Sequence, residues 1–333
     1  MKRLSRLLIG ACAASAMLPV AVHAQTVNPV EQVDTLEALS GKQPTFRRAQ
    51  AKGLCATGYF TGQPEGRALS SAAVFSGQKI PVVARFSVGG GNPKSSDKSR
   101  SARGLALQFM LPNGEQWMTA NISSPVYFVA RAEDFAPFLQ ARLPDPATGK
   151  PDPAKIKAFS EAHPETTLQA AYFASAPVPA SYGTVTYFGV NAFELVNDKG
   201  ASQFVRWHFA PAEANVGLTD EQIKTMPDNF LADELRTRVA AAPVAFNFKL
   251  QLAEKEDQLV DPTKVWPATR KIVTAGRLVI DKVEADMGGA CDKITFNPLA
   301  LPAGMKPSAD PVLLARPAAY GVSLGRRLAE ANK

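Results

Sequence analysis

The stretch Val244-Ala-Phe-Asn-Phe-Lys-Leu-Gln-Leu252 alternates apolar and polar side chains over most of its length. A period of two puts Val244, Phe246, Phe248, Leu250 and Leu252 on one side of an extended chain, and Asn247, Lys249 and Gln251 on the other, so it reads as a half-buried strand. Segments of similar β-rich character, bounded by Gly, Pro, Asn and Ser, lie on both sides of it: Gly53–Thr61, Pro81–Val88, Gly104–Met110, Glu115–Ala120, Thr184–Val196, Gln203–Phe209 and Val273–Val283. Asn197-Asp-Lys-Gly200 reads as the turn of a hairpin between two of them. About eight strands suffice to close an antiparallel barrel with a narrow interior. Helical patterns fill the gaps: Arg131–Arg142, Ala154–Ala162, Glu165–Ala174, Thr219–Thr225 with Thr219 as its cap, Asn229–Ala241 with Asp228 as its cap, and Asp310–Ala331, where Asp310 caps and Pro311 opens the helix. Residues 25–45 read as a polar leader arm. The expected class is therefore α+β, an eight-stranded antiparallel barrel with surrounding helices.

The first 24 residues carry Lys2, Arg3 and Arg6, then an apolar run from Leu7 to Val22, then Val22-His23-Ala24 with small residues at the cleavage-determining positions. This is the pattern of a secretory signal peptide cut before Gln25. No other apolar stretch is long enough to span a bilayer, so a soluble periplasmic or secreted protein is expected, with one domain over residues 25–333. The formal charge is +7, and removing the three leader cations leaves about +4. The basic residues are scattered and are not interleaved with aromatics, which argues against nucleic acid as a partner. Cys12 leaves with the leader; Cys55 and Cys291 remain, either as a disulfide or as two buried thiols. A CxxC metal site is excluded by spacing.

Hydrolytic chemistry finds little support. There is no GxSxG and no HExxH, and His163 and His208 sit in settings that suit structural roles. Gly89-Gly-Gly-Asn-Pro-Lys94 lacks the following helix that a phosphate loop needs and reads as a flexible surface loop. Arg316 and Tyr320 are four apart and share a face of the last helix. A guanidinium beside a phenol favours the phenolate, a hard anionic ligand for ferric iron.

Several ordered motifs carry a resemblance. Arg47-Arg-Ala-Gln-Ala-Lys-Gly53, Ile80-Pro-Val-Val-Ala-Arg-Phe-Ser87, Ser101-Ala-Arg-Gly-Leu-Ala-Leu-Gln-Phe109, Ser124-Pro-Val-Tyr-Phe-Val129 with Phe135, Tyr182–Leu195 with Gly200, and Arg316-Pro-Ala-Ala-Tyr320 with Arg327 together resemble the catalases, and specifically their small exported relatives, the catalase-related peroxidases. The resemblance spans about Arg47 to Arg327. It implies the catalase-core barrel and haem b with ferric iron. Tyr320 would be the proximal phenolate ligand and Arg316 would keep it charged. Arg47, Arg85 and Arg327 would face the propionates, Phe135 would pack on the porphyrin, and Ser87 would support the distal group. A small-molecule peroxide and an electron donor are the implied partners.

Two positions depart from the family pattern. Gln50 stands where the distal histidine belongs, and an amide cannot act as a general base near neutrality. Ile122 stands where true catalases carry an asparagine, with Asn121 beside it. Pro317 and Gly321 are also unusual in a ligand-bearing helix. The implied function is a haem peroxidase that reduces hydrogen or organic peroxides and is a weak catalase. The alternative is a non-catalytic or repurposed haem binder, sensor or scavenger.

Overall fold

The structure is a computed structural model and describes residues 27–331. The signal-peptide reading of residues 1–24 lies outside the described residues. Eight antiparallel strands form the centre: β1 Gly53–Gly62, β2 Lys79–Val88, β3 Arg103–Met110, β4 Gln116–Ile122, β5 Tyr187–Val196, β6 Ser202–Pro211, β7 Val244–Leu252 and β8 Ile272–Glu284. Each pairs with its neighbour in sequence, and β8 returns to β1, with Cys55 opposite Glu284 and Gly62 opposite Gly276. The sheet thus closes on itself and leaves no long free edge. The seam between β4 and β5 is thin, with one paired position, Ile122 opposite Phe188. The C-terminal segment covers this seam: the short strand Met305–Pro307 pairs with Phe193–Leu195, and Met118 N–H donates to the Ala300 carbonyl at 2.9 Å.

Alternation decides which side chains enter the barrel. On β7, Phe246, Phe248 and Leu250 are fully buried, as their spacing requires. Phe60 meets Phe109 edge to face at 5.3 Å, Phe109 stacks on Trp117 at 4.3 Å, and Trp207 stacks on Phe193 at 4.1 Å. These rings fill the interior, so the barrel is a core and the functional cavity must lie outside it. Where rings crowd the wall, glycine is required: a Cβ on Gly276 would sit 2.1 Å from the Phe60 ring.

The helices are α1 Pro29–Ser40, α2 Pro64–Leu69, α3 Phe135–Gln140, α4 Pro153–Ala162, α5 Leu168–Ser175, α6 Asp220–Thr225, α7 Phe230–Ala241 and α8 Pro311–Ala331. Among the described residues, no helix is long and apolar enough to cross a membrane. Three expectations need correction. The supposed leader arm contains α1, capped by the Asn28 side chain, with Val33 and Thr35 buried. Its polar composition hid a single buried stripe. The helix expected over Arg131–Arg142 is a 3-10 turn, Ala132–Asp134, followed by the short α3. The cap position of α7 is Asn229, with no side-chain hydrogen bond; Asp228 instead accepts from Ser96 at 2.5 Å and pairs with Lys98. Thr219 and Asp310 do cap their helices, Thr219 in a reciprocal capping box with Gln222.

α1 and α8 are fastened by a charge network that the sequence pattern did not reveal. Arg48 is buried, donates to Glu37 at 2.6 Å and to Glu330 at 2.5 Å, and also bonds the Phe46 carbonyl at 2.7 Å. Glu330 in addition accepts from Thr45 N–H at 2.9 Å. The Arg48 hydrogen bond is the largest influence holding the Glu330 carboxyl down, to about 2 from an ordinary 4.5. A depressed carboxyl stabilises the fold above its unfolded pKa, and that contribution disappears as pH falls through the folded value. Wild-type stability is therefore expected to drop between about pH 4.5 and about pH 2 more steeply than that of Glu330→Gln. Denaturant midpoints measured across this window check it; parallel curves for the two proteins would contradict it.

Candidate functional site

The outward faces of β2, β3 and β4, together with α1, α3, α5 and α8, enclose a cavity of about 850 Å³. Arg85 and Ser87 reach it from β2, while Phe86 between them points into the barrel. The neighbouring strands offer small residues, among them Gly104 and Ala106. Gly104 has to lack a side chain, because a Cβ there would lie 2.4 Å from Ser87 Oγ.

On one wall Gln50 sits in the left-handed backbone region, at φ 55°, which an L-residue adopts at a cost. Its carbonyl accepts from Arg85 Nη1 at 2.8 Å, and its side-chain Oε1 accepts from Ser87 Oγ at 3.1 Å. With Oε1 engaged, the Gln50 amide NH2 is the group available to a ligand. Ile122 also faces the cavity. Asn121 cannot substitute for the asparagine expected there, because strand alternation aims its side chain into the barrel. Its amide donates to the Leu105 carbonyl at 2.8 Å and to Thr119 at 2.9 Å, and it accepts from Trp207 Nε1 at 2.9 Å.

α8 supplies the other wall. Arg316 Nε and Nη2 donate to Tyr320 Oη at 3.0 and 2.8 Å. Arg316 Nη1 donates to Asn191 Oδ1 at 3.1 Å, Asn191 Nδ2 donates to Asp310 Oδ2 at 2.7 Å, and Asp310 Oδ1 caps α8 through Val312 N–H at 2.8 Å. Burial opposes the Arg316 charge, but Tyr320, Tyr127 and Asp310 outweigh it and raise its pKa. The same buried setting raises the Tyr127 phenol. Burial likewise raises the Asp310 carboxyl, against its three hydrogen bonds. Asn191 is the residue that sequence reasoning missed. It lies where the β5–β6 register shifts between Gly189 and Phe193, and the only available signal was an asparagine in an apolar strand. α8 runs through Pro317 without a break.

A cationic end completes the cavity. Arg85 grips Asp286 with two bonds of 2.7 Å. Arg47 donates to the carbonyls of Cys291, Asp292 and Ile294 at 2.9, 3.0 and 2.9 Å. Arg327 donates to the Asp292 carbonyl at 2.8 Å. Burial, then repulsion from Arg85 and Arg327, lowers the Arg47 pKa to about 9. The acceptors belong to a loop tied to β1 by a Cys55–Cys291 disulfide, one of the two states the sequence left open. Cys55 lies directly across the β1–β2 ladder from Arg85, so the disulfide anchors this loop beside the arginines.

The structure thus brings Arg47, Gln50, Arg85, Ser87, Phe135, Arg316, Tyr320 and Arg327 to one cavity. The Gly89–Lys94 loop is at the surface in part, with Gly90, Asn92 and Lys94 exposed, but its glycines also line this cavity, and at Gly91 a Cβ would meet the Arg48 carbonyl at 2.6 Å. The histidines stay outside. His208 packs beside Phe188, with its pKa lowered to about 4 by burial and then by Lys249; His163 stacks on Phe159 at 4.5 Å.

A closed barrel, a helix bearing an arginine-bonded tyrosine and an arginine cluster meet at one cavity. Residues 24–332 match the catalase family, and the chain belongs to it. It is 41% identical over 92% of its length to a catalase-related peroxidase of Synechococcus elongatus, covering 91% of that protein. It is 32% identical over 90% of its length to a catalase-related peroxidase of Mycolicibacterium paratuberculosis, covering 95% of that protein. Against pig catalase it is 26% identical and spans 54% of that longer chain. Catalase A from Saccharomyces cerevisiae shares the fold, with a TM-score of 0.78 over 86% of this chain at 22% identity.

Proposed function

We propose that this chain is an exported haem b peroxidase that reduces hydrogen or organic peroxides with an external electron donor. The observation that carries the reading is Tyr320, bonded twice by the half-buried Arg316 on the cavity wall. The residues suit the group. Arg47, Arg85 and Arg327 repel one another and share two carboxylates, Asp286 and Asp292, so a positive charge remains in excess that a propionate would offset. Tyr320 would be the iron ligand, and Phe135 would pack on the porphyrin. Bound haem would supply the redox chemistry that breaks the peroxide O–O bond. Reducing a hydroperoxide to an alcohol and water takes two electrons and two protons, and the electrons come from the donor.

The protein's own part follows from the wall residues. Arg316 places a full positive charge and two N–H donors on the oxygen that serves as an anionic ligand. Ser87 fixes the Gln50 amide, whose NH2 donates to a peroxide oxygen and so orients it. No Asp, Glu or His among the described residues lines the cavity, so Gln50 has no basic neighbour to hand it a proton acceptor. That same fact favours a second reading, a haem protein that only binds its ligand. Export is supported by the leader pattern of residues 1–24 and by the Cys55–Cys291 pair.

Stopped-flow mixing of haem-loaded protein with hydrogen peroxide, and separately with peracetic acid, decides between the two readings. A Soret change that reverses when a phenolic donor is added, with peroxide-dependent donor oxidation, is the expected result. A static Soret band that only bleaches slowly would overturn the peroxidase reading in favour of the binder.

A further inference from the structure

Among the described residues, the charged side chains lining the cavity are all arginines, and all but one are occupied. Arg47, Arg85 and Arg327 hold the Asp286–Ile294 loop, and Arg316 holds Tyr320. Arg48 is spent on Glu37 and Glu330. Arg100 pairs with Asp220 at 3.1 Å and donates to the Ala176 carbonyl at 2.6 Å. Arg142 alone has no acidic or phenolic partner among the described residues. Its single side-chain bond runs from Nη1 to the Phe138 carbonyl at 2.8 Å, leaving Nε and Nη2 without a protein acceptor. Its guanidinium lies over the Phe138 ring, 3.5 Å from the centroid. Burial disfavours its charge.

Arg142 stands at the end of an aromatic wall. Phe135 contacts Phe128 with ring centroids 5.5 Å apart, Phe128 contacts Phe138 at 4.7 Å, and Arg142 covers Phe138. The wall therefore leads from the ring assigned to the porphyrin to an unpaired cation. A half-buried guanidinium without an anion is unfavourable, and its planar fork matches a carboxylate. An apolar wall with such a terminus fits an amphipathic anion.

We propose that Arg142 recognises the carboxylate of the peroxide substrate, so that the cavity takes an organic hydroperoxide whose apolar chain ends in a carboxylate. The word peroxide rests on the function proposed above; the carboxylate site rests on Arg142 itself. The probe is octanoate, titrated into haem-loaded protein by calorimetry and compared with octanol. Octanoate is expected to bind the wild type about 10- to 100-fold more tightly than octanol, as for a hydrogen bond to a charged group that is partly desolvated. Arg142→Gln should remove that preference, and Arg142→Lys should restore part of it. The ratio of KM for a carboxylate-bearing hydroperoxide to KM for its methyl ester should rise in Arg142→Gln; a purely structural role would move both alike. Equal wild-type affinities for octanoate and octanol would overturn the inference without any variant. So would a Soret shift on octanoate binding, which would place the carboxylate at the iron. Arg142-dependent octanoate binding without turnover of any peroxide would sink the peroxidase reading and leave the carboxylate site standing. Turnover with no Arg142 dependence would sink only the carboxylate site.

Discussion

Tyr320→Phe is expected to leave a folded protein that no longer retains ferric haem tightly. The substitution keeps the ring and removes one oxygen, and α8 owes its start to the Asp310 cap and Pro311, which lie outside the change. What is lost is the proposed iron ligand and the acceptor of two Arg316 hydrogen bonds. Arg316 is then left half-buried with only the Asn191 oxygen as acceptor, at 3.1 Å, and a charge stripped of its partners costs stability in proportion to its burial. Removing a group that only supports a metal ligand typically costs about 10–100-fold in affinity, so loss of the ligand itself should exceed about 100-fold. Haem transfer to an acceptor protein, followed in the visible spectrum, measures this. Retention in the variant of the wild-type spectrum, including any charge-transfer band of a tyrosinate-ligated haem, would show that another residue ligates the iron.

The connection behind Tyr320 explains what a sequence can and cannot disclose here. The Arg316–Tyr320 spacing is local, so helix periodicity alone puts the pair on one face. Asn191 joins it from more than a hundred residues away, through a strand whose register slips at that point. No periodic signal marks a register shift, and the asparagine looked like a polar interruption of β5. The barrel was legible for the opposite reason. Alternation in β7 and its neighbours is a local consequence of burying one face, and the strands pair in sequence order, so no long-range rearrangement had to be guessed. α1 was hidden because its polar composition shows only a narrow buried stripe, Gln32, Val33 and Thr35, and its partner α8 lies at the far end of the chain, reached through Glu37, Arg48 and Glu330. The Gly89–Lys94 loop was legible as surface, but composition is silent about Gly91, which packs against the Arg48 carbonyl. Asn121 shows alternation from its useful side: one residue of offset separates a cavity wall from a barrel core.

The same offset sharpens the last expectation, for Gln50→His. With Asn121 turned inward and Ile122 on the wall, no Asp, Glu or His among the described residues lines the cavity, and the cost of lacking a base falls on position 50. Histidine tolerates the left-handed conformation at φ 55° better than most residues. Ser87 Oγ, now 3.1 Å from the amide oxygen, would remain beside one imidazole nitrogen and orient the ring. A positioned base of suitable pKa is typically worth about 10²–10⁴-fold, so peroxide-dependent donor oxidation should rise by about that factor. The effect should appear in the peroxide step and leave haem affinity unaltered, because position 50 makes no contribution to the Tyr320 wall. A second signature separates gained catalysis from improved folding. The variant's rate should fall as pH drops below the imidazole pKa, and wild-type turnover should show no such inflection. If turnover instead stays flat in Gln50→His while the Soret response to peroxide also stays flat, proton transfer is not what limits this site.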